Sequence, residues 1–173
     1  MRSKKFIGIL LLFAVLFSLT SCSKSIKYIK PDEMTGALEK TFDIKESDDY
    51  SRNAYTVSGS RDGSLCSINA SVSDDNGYIK ITYRQLKTPE ETADYFDGLY
   101  DQSLKSSGID PAEHQHIGGH KSNGSGGYFV CDQDGFFLGQ YCTDNLYISI
   151  NAHSDEQRAA AKDFAKDLGL PIE

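Results

Sequence analysis

Residues 64–86 read SLCSINASVSDDNGYIKITYRQL, and their alternation decides the fold. Cys66, Ile68, Ala70 and Val72 recur at every second position, as do Ile79, Ile81 and Tyr83. A period of two places such residues on one face of a strand. Between the runs stands Asn76-Gly77, a dipeptide suited to the positive φ angles of a tight hairpin. A two-residue turn would pair Asp75 with Tyr78, so that Val72 faces Ile81 and Ala70 faces Tyr83. All seven apolar residues then share one face, and turn chemistry agrees with patterning.

Upstream, AYTVSG at 54–59 reads as a strand that leads through SRDG into this hairpin. Downstream, TPEETADYFDGLYDQSL at 88–104 reads as a helix. Thr88 is its cap, Pro89 its first residue and Glu91 the partner that completes a capping box. Thr92, Phe96, Leu99 and Tyr100 form its buried stripe. A connector rich in breakers, residues 105–127, follows. Then come three more strands, YFVCD, FFLGQYC and LYISINA, joined by the turns Asp134-Gly135 and Asp144-Asn145. The last helix, DEQRAAAKDFAKDL, has Ser154 as its cap, with Gly169 and Pro171 beyond its end. The segment PDEMTGALEKTF at 31–42 is a further helix, with Pro31 in its first turn and Met34, Leu38 and Phe42 on one face.

The order is α-βββ-α-βββ-α, which predicts an α+β domain over residues 31–173. An antiparallel sheet of about six strands would carry all three helices on one face. A shift of 69 residues superposes Asp75, Asn76, Tyr78, Ile79, Ile81, Asp94 and Leu99 on Asp144, Asn145, Tyr147, Ile148, Ile150, Asp163 and Leu168. Internal duplication accounts for this echo. So does the chance likeness of two hairpin-plus-helix units made of common residues.

The chain begins with a basic MRSKK and an uncharged apolar run of 14 residues, FIGILLLFAVLFSL. That run is short for a bilayer span and suits a signal-peptide core. Leu19, Thr20, Ser21 and Cys22 follow. An aliphatic residue, two small residues and a cysteine form a lipobox, and here the chain resembles bacterial lipoproteins. The resemblance implies that residues 1–21 are a signal peptide and that Cys22 takes diacylglycerol as a thioether. Residues 22–30 would be a lipidated tether, and the domain would sit on the outer face of the cell membrane. Two acyl chains anchor stably where one does so marginally. The lipobox, the helix at 31–42, the KTPEETADYFDGL segment and the ending DNLYISINA…FAKDLGL also resemble small Cys-anchored lipoproteins of Gram-positive bacteria. That group implies an extracytoplasmic address and no particular chemistry.

Loss of Arg2, Lys4 and Lys5 with the signal takes the net charge from −7 to −10. So acidic a domain excludes nucleic acid and anionic lipid headgroups as partners held by bulk charge. Cys66, Cys131 and Cys142 remain, an odd number. With Gln133 opposite Phe136, Cys131 faces Leu138 and Cys142 faces Gly127. The two cysteines then lie roughly 13 Å apart at about 3.3 Å per residue, too far for a disulfide, which needs Cα atoms within about 7 Å. Three unpaired thiols are expected, although a longer turn would bring Cys131 towards Cys142.

His114, His116 and His120 fall within the eight residues EHQHIGGH. Two imidazoles on an extended segment and a third across a glycine turn could hold zinc or copper, with Glu113 or His153 completing the shell. Solvated loop histidines are the plainer alternative. No metalloprotease, nucleophile-elbow, P-loop or dinucleotide motif occurs, and no catalytic residue is assigned. If all helices cover one sheet face, the other carries Tyr78, Lys80, Arg84, Phe129, Leu138 and Tyr147. Aromatic and sparsely charged, that face would be a docking surface for a protein, peptide or cell-envelope ligand. A second subunit, the long connector or the loop at 43–53 could equally cover it. The sequence thus predicts a non-catalytic, membrane-tethered binding module, with metal binding by the histidine cluster as the alternative.

Overall fold

A computed structural model describes residues 26–49, 51–59, 64–107, 115–117 and 126–173. In chain order these form α1 (Pro31–Phe42), β1 (Lys45–Glu46), β2 (Ala54–Ser58), β3 (Cys66–Ser73), β4 (Tyr78–Gln85) and α2 (Pro89–Ser107). There follow β5 (Gln115–Ile117), β6 (Gly127–Gln133), β7 (Phe136–Thr143), β8 (Leu146–His153) and α3 (Asp155–Asp167). All strands join one sheet in the order β1-β2-β3-β4-β8-β7-β6-β5.

The fold is α+β, with the three expected helices and six expected strands in place. The sheet is larger than predicted, with eight strands, and it is mixed rather than purely antiparallel. The two-residue β1 runs parallel to β2, while the three-residue β5 pairs antiparallel with β6. Elements this short contain too few residues to show a period, so they escape a reading based on alternation.

The first hairpin departs from expectation by two residues. Ser73 pairs with Tyr78, Val72 with Ile79 and Ala70 with Ile81. The cause is Asp74. Its Oδ1 accepts the backbone N–H groups of Asn76 and Gly77, each at 2.8 Å, and its Oδ2 accepts Nε2 of Gln157 at 2.6 Å. A four-residue loop capped by an aspartate side chain therefore replaces the two-residue turn. A slip of two leaves every side chain on its predicted face. Gln133 does pair with Phe136 and Thr143 with Leu146, so both downstream turns have the two-residue form read from the sequence.

One face of the sheet is sealed. Ile68, Ala70, Ile79, Ile81, Tyr83, Tyr128, Val130, Phe137, Tyr141, Ile148 and Ile150 are all buried there beneath α1 and α3. Met34 and Leu38 of α1 and Ala161, Phe164 and Ala165 of α3 complete this core, and Phe42 packs on Phe164 at 5.1 Å between ring centroids. Each such fully buried aliphatic or aromatic side chain stabilises the fold by roughly 1.5–3 kcal/mol. Three phenols on this face find acceptors. Tyr83 donates to the carbonyl of Ile29 at 3.0 Å, Tyr141 to that of Pro171 at 2.7 Å and Tyr55 to Glu39 at 2.5 Å. Gly139 makes room for the ring of Tyr141, since a Cβ at residue 139 would lie 2.3 Å from the Tyr141 hydroxyl.

The helices do not share that face, contrary to the sequence expectation. α2 crosses the other side, over β7 and β8. Phe96 packs with Phe129, Cys131, Leu138, Cys142 and Tyr147 in a second core. The reason is visible in β6 and β7. Tyr128 to Cys131 and Phe137 to Cys142 are buried at every position, so both faces of these strands need cover. β3 and β4, by contrast, keep polar residues on the α2 side.

The internal echo holds for the strands only. Ile79 and Ile148 lie on the same face, as do Ile81 and Ile150, and β4 pairs with β8. The helix after each strand set takes the opposite face, so no rotation that exchanges the strands also exchanges α2 with α3. The N-terminal boundary moves as well. Ile26 and Ile29 are buried in the sealed core, so the globular part starts by Ile26 and residues 26–30 are docked.

Candidate functional site

Where α2 leaves the sheet, a groove of about 450 Å³ remains between helix and strands. Its floor is Leu138 and Gln140 of β7, Tyr147, Ser149 and Asn151 of β8, and Thr82 of β4. Alternation puts these residues on one face. Tyr95, Leu99 and Ser103, one helical turn apart along α2, form the wall, and Phe136 stands at the end. None of these lining residues carries a charge.

The aromatic walls are well held. Tyr95 meets Tyr147 edge-on at 4.9 Å between ring centroids, with 85° between the planes. The guanidinium of Arg84 stacks on the outer side of Tyr95, 5.3 Å from its centroid. Phe136 is edge-on to His153 at 5.1 Å, and His153 lies against Tyr78 at 4.5 Å. Burial pushes the pKa of the Tyr147 hydroxyl well up, so this phenol stays protonated at neutral pH.

The polar floor is incompletely satisfied. Gln140 is only 4% exposed; its Nε2 donates to Ser103 Oγ at 3.2 Å, but its Oε1 has no partner among the described residues. Oδ1 of Asn151 is likewise buried and unpartnered. Lys80 pairs across the strands with Asn151, yet its ammonium sits over the Tyr78 ring at 5.1 Å. A buried acceptor without a donor costs about 1–3 kcal/mol, so two beside one groove mark a place prepared for a ligand or water.

Tyr78, Lys80, Arg84, Phe129, Leu138 and Tyr147 do lie on one face, but that face is not open as expected. Phe129 and Tyr147 are buried under α2, at 0% and 1% exposure. Leu138 and Tyr147 line the groove, Arg84 holds its wall, and Tyr78 and Lys80 stand outside it. Thr82 and Gln140 belong to the face as alternation requires. Ser149, Asn151 and Phe136 were missed, although Ser149 and Asn151 follow Tyr147 at steps of two. Tyr95 and Ser103 could be found only by knowing which side of the sheet α2 takes.

Of the histidine cluster, His116 lies in β5, its backbone opposite Phe129, whereas His114 and His120 lie outside the described residues. Among the described residues no group of three His, Cys, Asp or Glu is arranged around a common point. Among the described residues Cys66, Cys131 and Cys142 form no disulfide, and the β6–β7 register sets Cys131 opposite Leu138 and Cys142 opposite Gly127. Burial pushes the Cys142 thiol up to about 11 and also raises that of Cys131, which makes both poor nucleophiles. Cys22 lies outside the described residues. No helix among those described is long and apolar enough to cross a membrane.

No family model matches the chain, and no curated protein is similar to it. Among solved structures it is similar to the extracellular domain of PknH from Mycobacterium tuberculosis. The match has a TM-score of 0.34 and 12% identity, and it covers 62% of this chain. The chain spans 66% of that domain, just under two thirds of its length.

Proposed function

We propose that the protein is a membrane-tethered, extracytoplasmic lipoprotein whose folded part is a non-catalytic binding module, with the groove under α2 as its ligand site. The observation that carries this reading is the pair of buried carboxamide oxygens of Gln140 and Asn151, without partners among the described residues, beside a groove with aromatic walls and no charged residue among those described. Its volume falls within the roughly 300–1,000 Å³ typical of small-molecule sites. Among the described residues the lining holds no carboxylate, imidazole or thiol, and so no general base or activated nucleophile of those types, which favours binding over catalysis. The address rests on the signal segment and on the lipobox ending at Cys22.

Hydrogen exchange of the lipidated chain in detergent, with and without a cell-envelope extract, tests the site. Slowed exchange is expected over residues 95–103 and 136–151, and it should vanish when Ser149→Leu fills the groove. Protection confined to other regions would remove the groove from consideration. The address is tested separately: Cys22→Ser should release the protein into the medium, and retention on the membrane would overturn the anchor.

A further inference from the structure

We infer that the groove takes a neutral, hydroxyl-rich ligand of the saccharide class, its hydroxyls donating to Gln140 Oε1 and Asn151 Oδ1 while a ring face lies against the aromatic walls. This inference rests on the groove being the binding site.

Charge is the first argument. No lining residue among those described is ionised, and the guanidinium of Arg84 is engaged on the Tyr95 ring, so a charged ligand would leave water without a counter-charge in contact. An anion would also meet the two acceptor oxygens that have no donor among the described residues, which repel it. The second argument is hydrogen bonding. A wholly apolar ligand would seal both acceptors without donors, at the full cost of their desolvation. A hydroxyl donates and accepts, so it satisfies a carboxamide in either orientation of its oxygen and nitrogen. Ser149 and Thr82 add hydroxyls of the same dual character.

The third argument excludes the commonest way a sheet captures a peptide. Strand addition needs an unpaired edge. The floor strands β4, β8 and β7 are each paired on both sides, so a peptide backbone finds no ladder to join. Recognition must come from side chains. Tyr95, Phe136 and Tyr147 beside Gln140, Asn151 and Ser149 suit a ring with C–H faces and a hydroxyl rim. Lys80 stands outside, held over Tyr78, and plays no part in a neutral complex.

The test is calorimetry and hydrogen exchange on the lipidated chain in detergent with four probes. These are maltotetraose, a tetramer of N-acetylglucosamine, an acidic tetragalacturonate and an uncharged Ala/Ser hexapeptide. Saturable binding of either neutral saccharide is expected, with protection at Tyr95, Leu99 and Ser149. Gln140→Met and Asn151→Leu should each weaken it about tenfold or more, with melting temperatures near wild type. Lys80→Ala should leave it unchanged. Tighter binding of the galacturonate, lost in Lys80→Ala, would overturn neutrality. Peptide binding at the groove without saccharide binding would overturn the ligand class and leave the site standing. If no probe binds at about 10 mM while envelope extract still protects the groove, the saccharide inference fails alone. If the extract also gives no protection, the site fails with it.

Discussion

The two faces of the sheet share the same strands and differ in how they are closed. Under α1 and α3 the side chains are mostly Ile, Tyr and Phe, and the phenols of Tyr83, Tyr141 and Tyr55 each reach an acceptor. Under α2 one half is equally dry, around Phe96 and Phe129, and the other half ends in a groove with two amide oxygens that have no partner among the described residues. A helix is narrower than a sheet. Two helices side by side cover one face, and a single helix on the other leaves a margin where polar residues collect. On the proposed function, stability and recognition would lie on opposite sides of one layer.

The contrast can be broken from the sealed side first. Phe164→Ala should cost about 3–5 kcal/mol, because it empties a fully buried site. Leu99→Ala in the groove wall should cost nearer about 1 kcal/mol. Denaturant titration of both variants measures the difference, and equal losses would erase the distinction between the faces.

A smaller effect concerns the charged group that fastens α3 to β6. Asp132 accepts from Arg158 Nε at 2.5 Å and also from the ammonium of Lys162. Burial alone would raise the Asp132 pKa, but the hydrogen bonds from Arg158 and Lys162 outweigh it and hold the carboxyl below its usual range. The folded pKa is therefore lower than the unfolded value of about 3.9. The stability this group contributes is present above that value and is lost as pH falls through the folded pKa. Asp132→Asn should cost roughly 1.5–3 kcal/mol at pH 7, and the gap to wild type should close below about pH 4. A gap that widens with acidification would contradict the assignment.

Filling the groove should matter less to folding. Ser149→Leu is expected to cost about 1 kcal/mol, since the new side chain enters space rather than packed atoms but withdraws the hydroxyl that bonds the buried Tyr147 phenol. Thermal melts check this directly. Thiol labelling of the native chain sharpens the picture without changing stability. Cys66, about half-way to the surface, should react well before Cys131 and Cys142 under α2. Prompt labelling of Cys142 would mean that α2 lifts readily from the sheet.

Much of this was legible in the residues. Strand alternation assigned both faces of β3 and β4, and the turns at Asp134-Gly135 and Asp144-Asn145 set their registers. Thr88 and Ser154 cap their helices as read, accepting from Glu91 N–H at 3.2 Å and Gln157 N–H at 3.3 Å. The register of the first hairpin was not legible, because Asp74 is fixed by Gln157, 83 residues away. The side taken by α2 was the costlier miss. An apolar stripe says that a helix is covered on one side, not which layer covers it. The signal lay in the strands, where FFLGQYC lacks the alternation of a one-faced strand and so required a helix on the far side. The groove inherits that difficulty, since three of its ten described lining residues come from α2 and seven from the strands it happens to cross.

Burial of Ile26 has a mechanical consequence. With diacylglycerol on Cys22, only Ser23, Lys24 and Ser25 separate the anchor from the body of the protein. Four Cα–Cα steps reach at most roughly 14 Å, less than half the thickness of a bilayer's hydrocarbon. An anchor there would hold the domain within touching distance of the headgroups, tethered through the segment that packs in the sealed core. Any partner would then be met in a thin shell above the lipid, where lateral diffusion in two dimensions governs encounter.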